Sequence, residues 1–144
     1  MSATPCRSCG QRGFCDCGLR IVNCRMTTQE LKDRTFKFGI RIVRAVEALP
    51  RGDISRTLGG QLLRAGTSVG ANYRAAAHAK SRADFIAKLG IVEEECDEAS
   101  YWMEVIVALK LLKKTRLESL RREADELLAI VVASIKTARP PRRR

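Results

Sequence analysis

The sequence predicts an all-α protein, an antiparallel up-down-up-down four-helix bundle, and three observations carry that prediction. Only four prolines occur in 144 residues, and two of them, Pro140 and Pro141, lie at the extreme end. Apolar residues recur at steps of three and four in four long runs, the spacing that lays one face of a helix on its neighbours. The joints between runs are short, which makes consecutive helices antiparallel neighbours. With 45% apolar but only 5% aromatic residues, the core has to be built mostly from Leu, Ile, Val and Ala.

Residues 1–25 stand apart as an extension with no helical period. They hold five of the six cysteines, at positions 6, 9, 15, 17 and 24. Three readings stay open for this segment. Cys6, Cys9, Cys15 and Cys17 supply four thiolates for a zinc knuckle, although the second pair is tightly spaced for one. A disulfide cluster needs an oxidising compartment, for which there is no targeting signal. The third reading is a start codon assigned too early, or a disordered tail, with Met26 as the working start of the domain.

The bundle is expected over residues 26–138. Thr27 with Glu30 three residues on forms a capping box that opens helix one, which runs from about Thr28 to Leu49 with Leu31, Thr35, Phe38, Ile42, Ala45 and Leu49 inward. Pro50 and Gly52 end it. Helix two extends from about Ser55 to Ala79 with Leu58, Leu62, Ala65, Val69, Asn72 and Ala76 along its seam. It contains Gly59, Gly60, Gly66 and Gly70, each costing about 1 kcal/mol against alanine inside a helix, a cost best explained by close helix contact. Helix three starts at Ser81, with Asp84 placed for a capping box, and continues to about Leu112. Its core stripe is Phe85, Leu89, Val92, Cys96, Ala99, Met103 and Ile106. Lys113 to Arg116 read as a loop, and helix four as Leu117 to Thr137 with Leu120, Ala124, Leu127, Val131 and Ile135 inward. Residues 139–144 form a basic tail.

Gln61, Arg64, Ser68 and Asn72 place polar groups beside the seam of helix two. An unpaired charge near a core is costly, and helix three offers Glu94 and Glu98 as partners. Helices two and three therefore specify a hairpin with an internal polar network. Val105 to Leu112 and Leu127 to Ile135 are apolar around most of their circumference, more than one inward face requires, and this surplus predicts a homo-oligomer.

The runs Gln61-Leu62-Leu63-Arg64-Ala65 and Ser68-Val69-Gly70-Ala71-Asn72, then Phe85 with Leu89, Glu94, Glu98 and Trp102, and the closing Leu127-Leu128-Ala129-Ile130 and Ile135-Lys136, carry a family resemblance. The chain resembles the four-helix-bundle proteins related to those encoded in intervening sequences of bacterial 23S, large-subunit ribosomal RNA genes, over roughly residues 28–138. It is also similar to the accessory protein that works beside the reverse transcriptase of diversity-generating retroelements. The resemblance implies a homo-oligomeric ring, often a pentamer, and a basic surface for nucleic acid. It is specific for fold and much less so for function.

The net charge of +11 favours a polyanionic partner, nucleic acid first among them, and the family resemblance makes RNA the expected one. The charge is also segregated. Residues 27–82 carry eleven Lys or Arg against four acids, residues 84–104 one against seven, and residues 110–144 eleven against four. Arg34, Lys37, Arg41 and Arg44 follow a three-to-four spacing expected to form one outward stripe of helix one. Lys113, Lys114, Arg116, Arg121 and Arg122 cluster near the third joint, and Arg142, Arg143 and Arg144 end the tail. Such groups contact phosphates without reading sequence. An ordinary solvated face is the competing reading. Few aromatics interleave with them, which argues for backbone contact over base stacking.

Other chemistries find little support. A di-iron bundle needs a Glu-x-x-His motif on each of two helices, and this chain has a single histidine, His78, with Ala75 three residues before it. The acids between Glu93 and Glu98 cannot all face one metal ion. No strand precedes the glycines of helix two and no Gly-Lys-Ser/Thr follows, so a phosphate loop is absent. Cys96 sits on the core stripe as a small filler, and no nucleophile has an adjacent base. No cofactor is expected. No run approaches the length of a membrane span, and the default location is the cytoplasm. The expectation is a non-enzymatic nucleic-acid-binding or ribonucleoprotein accessory protein. The alternative is a protein-interaction scaffold, such as a subunit docking on a reverse transcriptase.

Overall fold

The computed structural model describes residues 26–140, so the cysteines of the N-terminal extension and Arg142, Arg143 and Arg144 lie outside the described residues. Four helices follow one another: α1 Thr28–Glu47, α2 Asp53–Ala77, α3 Arg82–Ala108 and α4 Lys114–Ala138. Each packs on the next, α1 also touches α4, and the diagonal pairs stay apart. Paired positions run in opposite senses across the first joint, as Gly70 against Thr35 and Gly59 against Val46 show for α1 and α2, and Arg34 against Glu123 and Arg41 against Ser119 show the same for α1 and α4. The molecule is an up-down-up-down four-helix bundle.

The stripes expected from sequence meet in one core. Phe38, Ile42, Leu62, Val69, Leu89, Met103, Ile106, Leu117, Leu127 and Val131 are all but fully enclosed. Each such side chain contributes roughly 1.5–3 kcal/mol by leaving water. Tyr73, Leu117, Ile130 and Ala138 join the buried set from positions flanking the expected seams. Thr35, the one hydroxyl on the α1 stripe, is satisfied by the carbonyls of Leu31 at 2.9 Å and Lys32 at 3.0 Å.

Helix starts obey their caps. The Thr27 hydroxyl accepts from the Glu30 amide at 3.2 Å, and the Glu30 carboxylate accepts from the Thr27 amide at 2.5 Å. That completes the capping box. Ser81 accepts from the Asp84 amide at 3.1 Å, but Asp84 takes the Lys80 amide at 3.0 Å instead of the Ser81 amide. The box at α3 is thus shifted by one residue.

The third joint differs from expectation. Lys110 takes a left-handed conformation, φ 58°, so α3 stops at Ala108 instead of running to Leu112. The Lys110 amide donates to the Val107 carbonyl and the Leu111 amide to that of Ile106, the paired bonds of a Schellman end. Leu111 and Leu112 fold back on the core. The chain can then restart at once, and α4 begins at Lys114, so Lys114, Thr115 and Arg116 are helical rather than loop.

Glycine permits the close α1–α2 contact. A Cβ on Gly66 would fall 2.5 Å from Ile42 Cγ1, and one on Gly70 would fall 3.3 Å from the Thr35 carbonyl oxygen. A Cβ on Gly60 meets nothing within 4 Å.

The surplus apolar surface is only partly where the sequence placed it. Leu127, Ile130, Val131 and Ile135 are buried inside the bundle, because α4 is flanked by both α3 and α1. Leu109 remains exposed, but the other large exposed apolar side chains include Phe36 and Ile40 on α1, Leu63 on α2, and Ile91 and Tyr101 on α3.

Candidate nucleic-acid interface

The basic stripe of α1 borders α4 rather than facing outward along its length. Arg34 donates from Nε to Glu123 Oε1 at 2.6 Å and from Nη2 to Glu123 Oε2 at 3.0 Å, with a further bond to Glu126. Those carboxylates hold the guanidinium well above its usual proton affinity. Arg34 is therefore a clasp between α1 and α4 and is unavailable to a phosphate. The spacing fixed the stripe correctly but could not say which neighbour it would meet. Two turns on, Arg41 meets no acid; its Nη2 donates to Ser119 Oγ at 2.8 Å. Lys37 and Arg44 are exposed.

The second basic group divides in the same way. Arg121 lies 3.6 Å from Glu104 on α3, and Arg122 pairs with Glu118 at 3.0 Å one turn back on its own helix. Lys113, Lys114 and Arg116 stay exposed with no carboxylate partner. Lys113 is the N-cap of α4 and offers no capping side chain, and no acid sits in the first turn. The amide-rich, electropositive start of α4 is thus ringed by three cations, an arrangement that disfavours the helix and favours an anion.

Topology gathers seven of the available cations at one end of the bundle. The end of α1 brings Arg41 and Arg44, the first joint Arg51, the third joint Lys110 and Lys113, and the start of α4 Lys114 and Arg116. Arg51 and Lys110 escape a reading by helical period, because both lie in turns. Between α1 and α4 at this end is a cleft of about 270 Å³. Its floor is Ala45, Ala48, Leu112, Leu117 and Leu120, and its polar lining is Arg41, Arg44, Arg116 and Ser119.

The polar network of the α2–α3 hairpin is a separate and smaller construction. Arg64 bonds Glu98 and lies 3.4 Å from Glu95, and Trp102 Nε1 donates to Glu98 Oε1 at 3.0 Å. Glu94, an expected partner, points to solvent, since one residue is about 100° of helix rotation away. Asn72 donates instead to the Ser68 carbonyl at 3.0 Å. It sits two turns, about 12 Å, along α2 from Arg64, and Gln61 likewise stays out of the network. The hydrogen bonds from Arg64 and Trp102 lower the proton affinity of Glu98. Burial raises that of Glu95, whose Oε2 has no partner.

Cys96 is fully buried, and burial pushes its thiol up to about 12. His78 is exposed at the end of α2. Among the described residues no cluster of three or more His, Cys, Asp or Glu could hold a metal ion, and no helix is long and apolar enough to cross a membrane.

The model of the family described as 23S rRNA-intervening sequence protein matches residues 27–133, the whole of the bundle except its last turn. No curated protein matches the chain. Among solved structures, one is similar over 74% of this chain and 98% of its own, at 36% identity and a TM-score of 0.70. It is a protein of unknown function of the S23 ribosomal protein family from Bacteroides thetaiotaomicron VPI-5482.

Proposed function

The chain belongs to the 23S rRNA-intervening sequence protein family, and from the charge of its bundle we propose that it is a non-enzymatic nucleic-acid-binding accessory protein whose partner is RNA. One observation carries this reading: at one end of the molecule Arg41, Arg44 and Arg116, without a carboxylate partner among the described residues, line a cleft that holds no acid, whereas Arg34, Arg64, Arg121 and Arg122 are neutralised by carboxylates. Unpaired cations close together attract a polyanion by releasing its counterions. The buried, protonated Cys96 and the isolated His78 support a role without catalysis, since a nucleophile needs an adjacent base and access to substrate.

The test is a titration of a single-stranded RNA against salt. For about six neutralised phosphates the log–log slope is roughly −4, and the affinity is similar for unrelated sequences. No binding at low salt up to tens of micromolar protein would remove the reading. A second reading, a scaffold that docks on another protein such as a reverse transcriptase, draws support from the exposed Phe36, Ile40 and Leu63. The same residues support self-association into a homo-oligomer, with pentamers among the closed rings available to such a chain.

A further inference from the structure

We infer that the cleft between the end of α1 and the start of α4 is a binding site for a single phosphate group of a nucleic-acid strand, the point at which the backbone is anchored. The inference rests on the RNA-binding reading and locates its central contact. Three guanidinium groups, of Arg41, Arg44 and Arg116, line one concavity, and none has a carboxylate partner among the described residues. Arginine's planar fork matches phosphate oxygens two at a time.

The fourth polar group is also poised. Ser119 Oγ accepts from Arg41, so its own proton is free to donate to an anion, and Arg41 is already oriented before a ligand arrives. Such pre-organisation reduces the ordering cost of binding. The aliphatic floor closes one side of the site, and the guanidinium groups face the open side from which a strand can approach. Ala45 and Ala48 leave the room that larger residues would fill. The α4 amides and the adjacent Lys113 and Lys114 add positive potential at the mouth. At about 270 Å³ the cleft has room for one phosphate with its sugar.

Elsewhere the basic surface lacks one or other of these features. Arg34 has its fork filled by two carboxylates. The hollow beside Arg121 and Arg122 is also lined by Glu118 and Asp125, which repel a phosphate.

The experiment compares three proteins by fluorescence anisotropy with a labelled single-stranded RNA: the natural chain, the double variant Arg44→Gln/Arg116→Gln, and the control Arg122→Gln. Circular dichroism confirms that each is folded. The double variant is expected to bind at least tenfold more weakly, with the control within about twofold of the natural chain. Because both arginines serve the same phosphate, the salt slope of the double variant should be shallower by about 1, not 2. Inorganic phosphate at fixed ionic strength should shift the NMR signals of the Arg41, Arg44 and Arg116 side chains and compete with the RNA. If the natural chain binds RNA and the double variant binds as the control does, the cleft site is wrong and the RNA reading stands. If inorganic phosphate shifts the three arginines but RNA does not bind, the ligand is a free phosphate, and the strand anchor and the RNA reading both fail. If neither binds, both fail.

Discussion

At the scale of single residues, charge pairing decides what each basic side chain can do. Arg34 is about one-fifth exposed and so is Glu123, which places their pair between the weak surface kind and the costly buried kind. Arg34→Ala should lower stability by about 1–3 kcal/mol, the range for hydrogen bonds to charged groups, read by urea denaturation. A change under about 0.5 kcal/mol would class the clasp as an ordinary surface pair. Glu95 and Glu98 flank one arginine with opposite pH behaviour. The proton affinity of Glu98 is lowered in the fold, so its contribution is present above the unfolded carboxylate range and is lost as pH falls. That of Glu95 is raised, so its contribution is complete at low pH and is lost as pH rises. Glu95→Gln should raise the melting temperature at pH 7 by about 2–4 °C, roughly 1 kcal/mol in a chain this size. Glu98→Gln should lower it, and both differences should shrink by pH 3.5. The same sign for both variants at pH 7 would refute the assignment. The sequence identified Arg64 and Glu98 as partners. It could not choose Glu95 over Glu94, because that depends on the rotation at which α2 and α3 settle.

At the scale of elements, the apolar stripes and two of the N-caps were legible because each is a local pattern. The glycines of α2 were legible in kind but not one by one. Gly66→Ala should destabilise by about 1–3 kcal/mol, since the new methyl meets the Cβ region of Ile42, which cannot swing away. Gly60→Ala, where nothing is near, should instead stabilise by up to about 1 kcal/mol through helix propensity. Thermal melts of the two variants check the pair, and equal effects would mean that the α1–α2 contact is looser than it is here. The end of α3 was illegible for a definite reason. A left-handed cap advertises itself when glycine fills it, and here Lys110 does. The start of α4 was hidden in turn, because its N-cap is a lysine with no capping side chain.

For the whole molecule, the core could be read from sequence and the basic end could not. A stripe on one helix is a property of that helix, whereas the cleft exists only once α1 closes on α4, from positions more than 60 apart in the chain. Assembly is a separate matter of surface. Phe36 is 56% exposed and Ile40 40%, on neighbouring turns of α1, with Arg74 lying 6.0 Å over the Phe36 ring. Light scattering should give a mass that is a multiple of 16.0 kDa, and Phe36→Ser with Ile40→Ser should return it to a single chain. A natural protein that scatters as one chain would set the homo-oligomer aside.

The sparse contact between α1 and α4 makes that seam behave like a zipper with one end stitched. Arg34 with Glu123 and Glu126 is the stitch, and the hydrogen bond from Arg41 to Ser119 is a weaker second one; beyond it Arg44 faces Arg116 across the cleft, and like charges push the two helices apart. Spontaneous opening should therefore begin at the first turn of α4 and die out toward Glu123, leaving a gradient of amide exchange along one helix. An anion seated between those arginines removes the repulsion that drives the opening. The ligand would then stiffen the fold by cancelling a local stress, and the protection it confers would spread from the cleft along the seam.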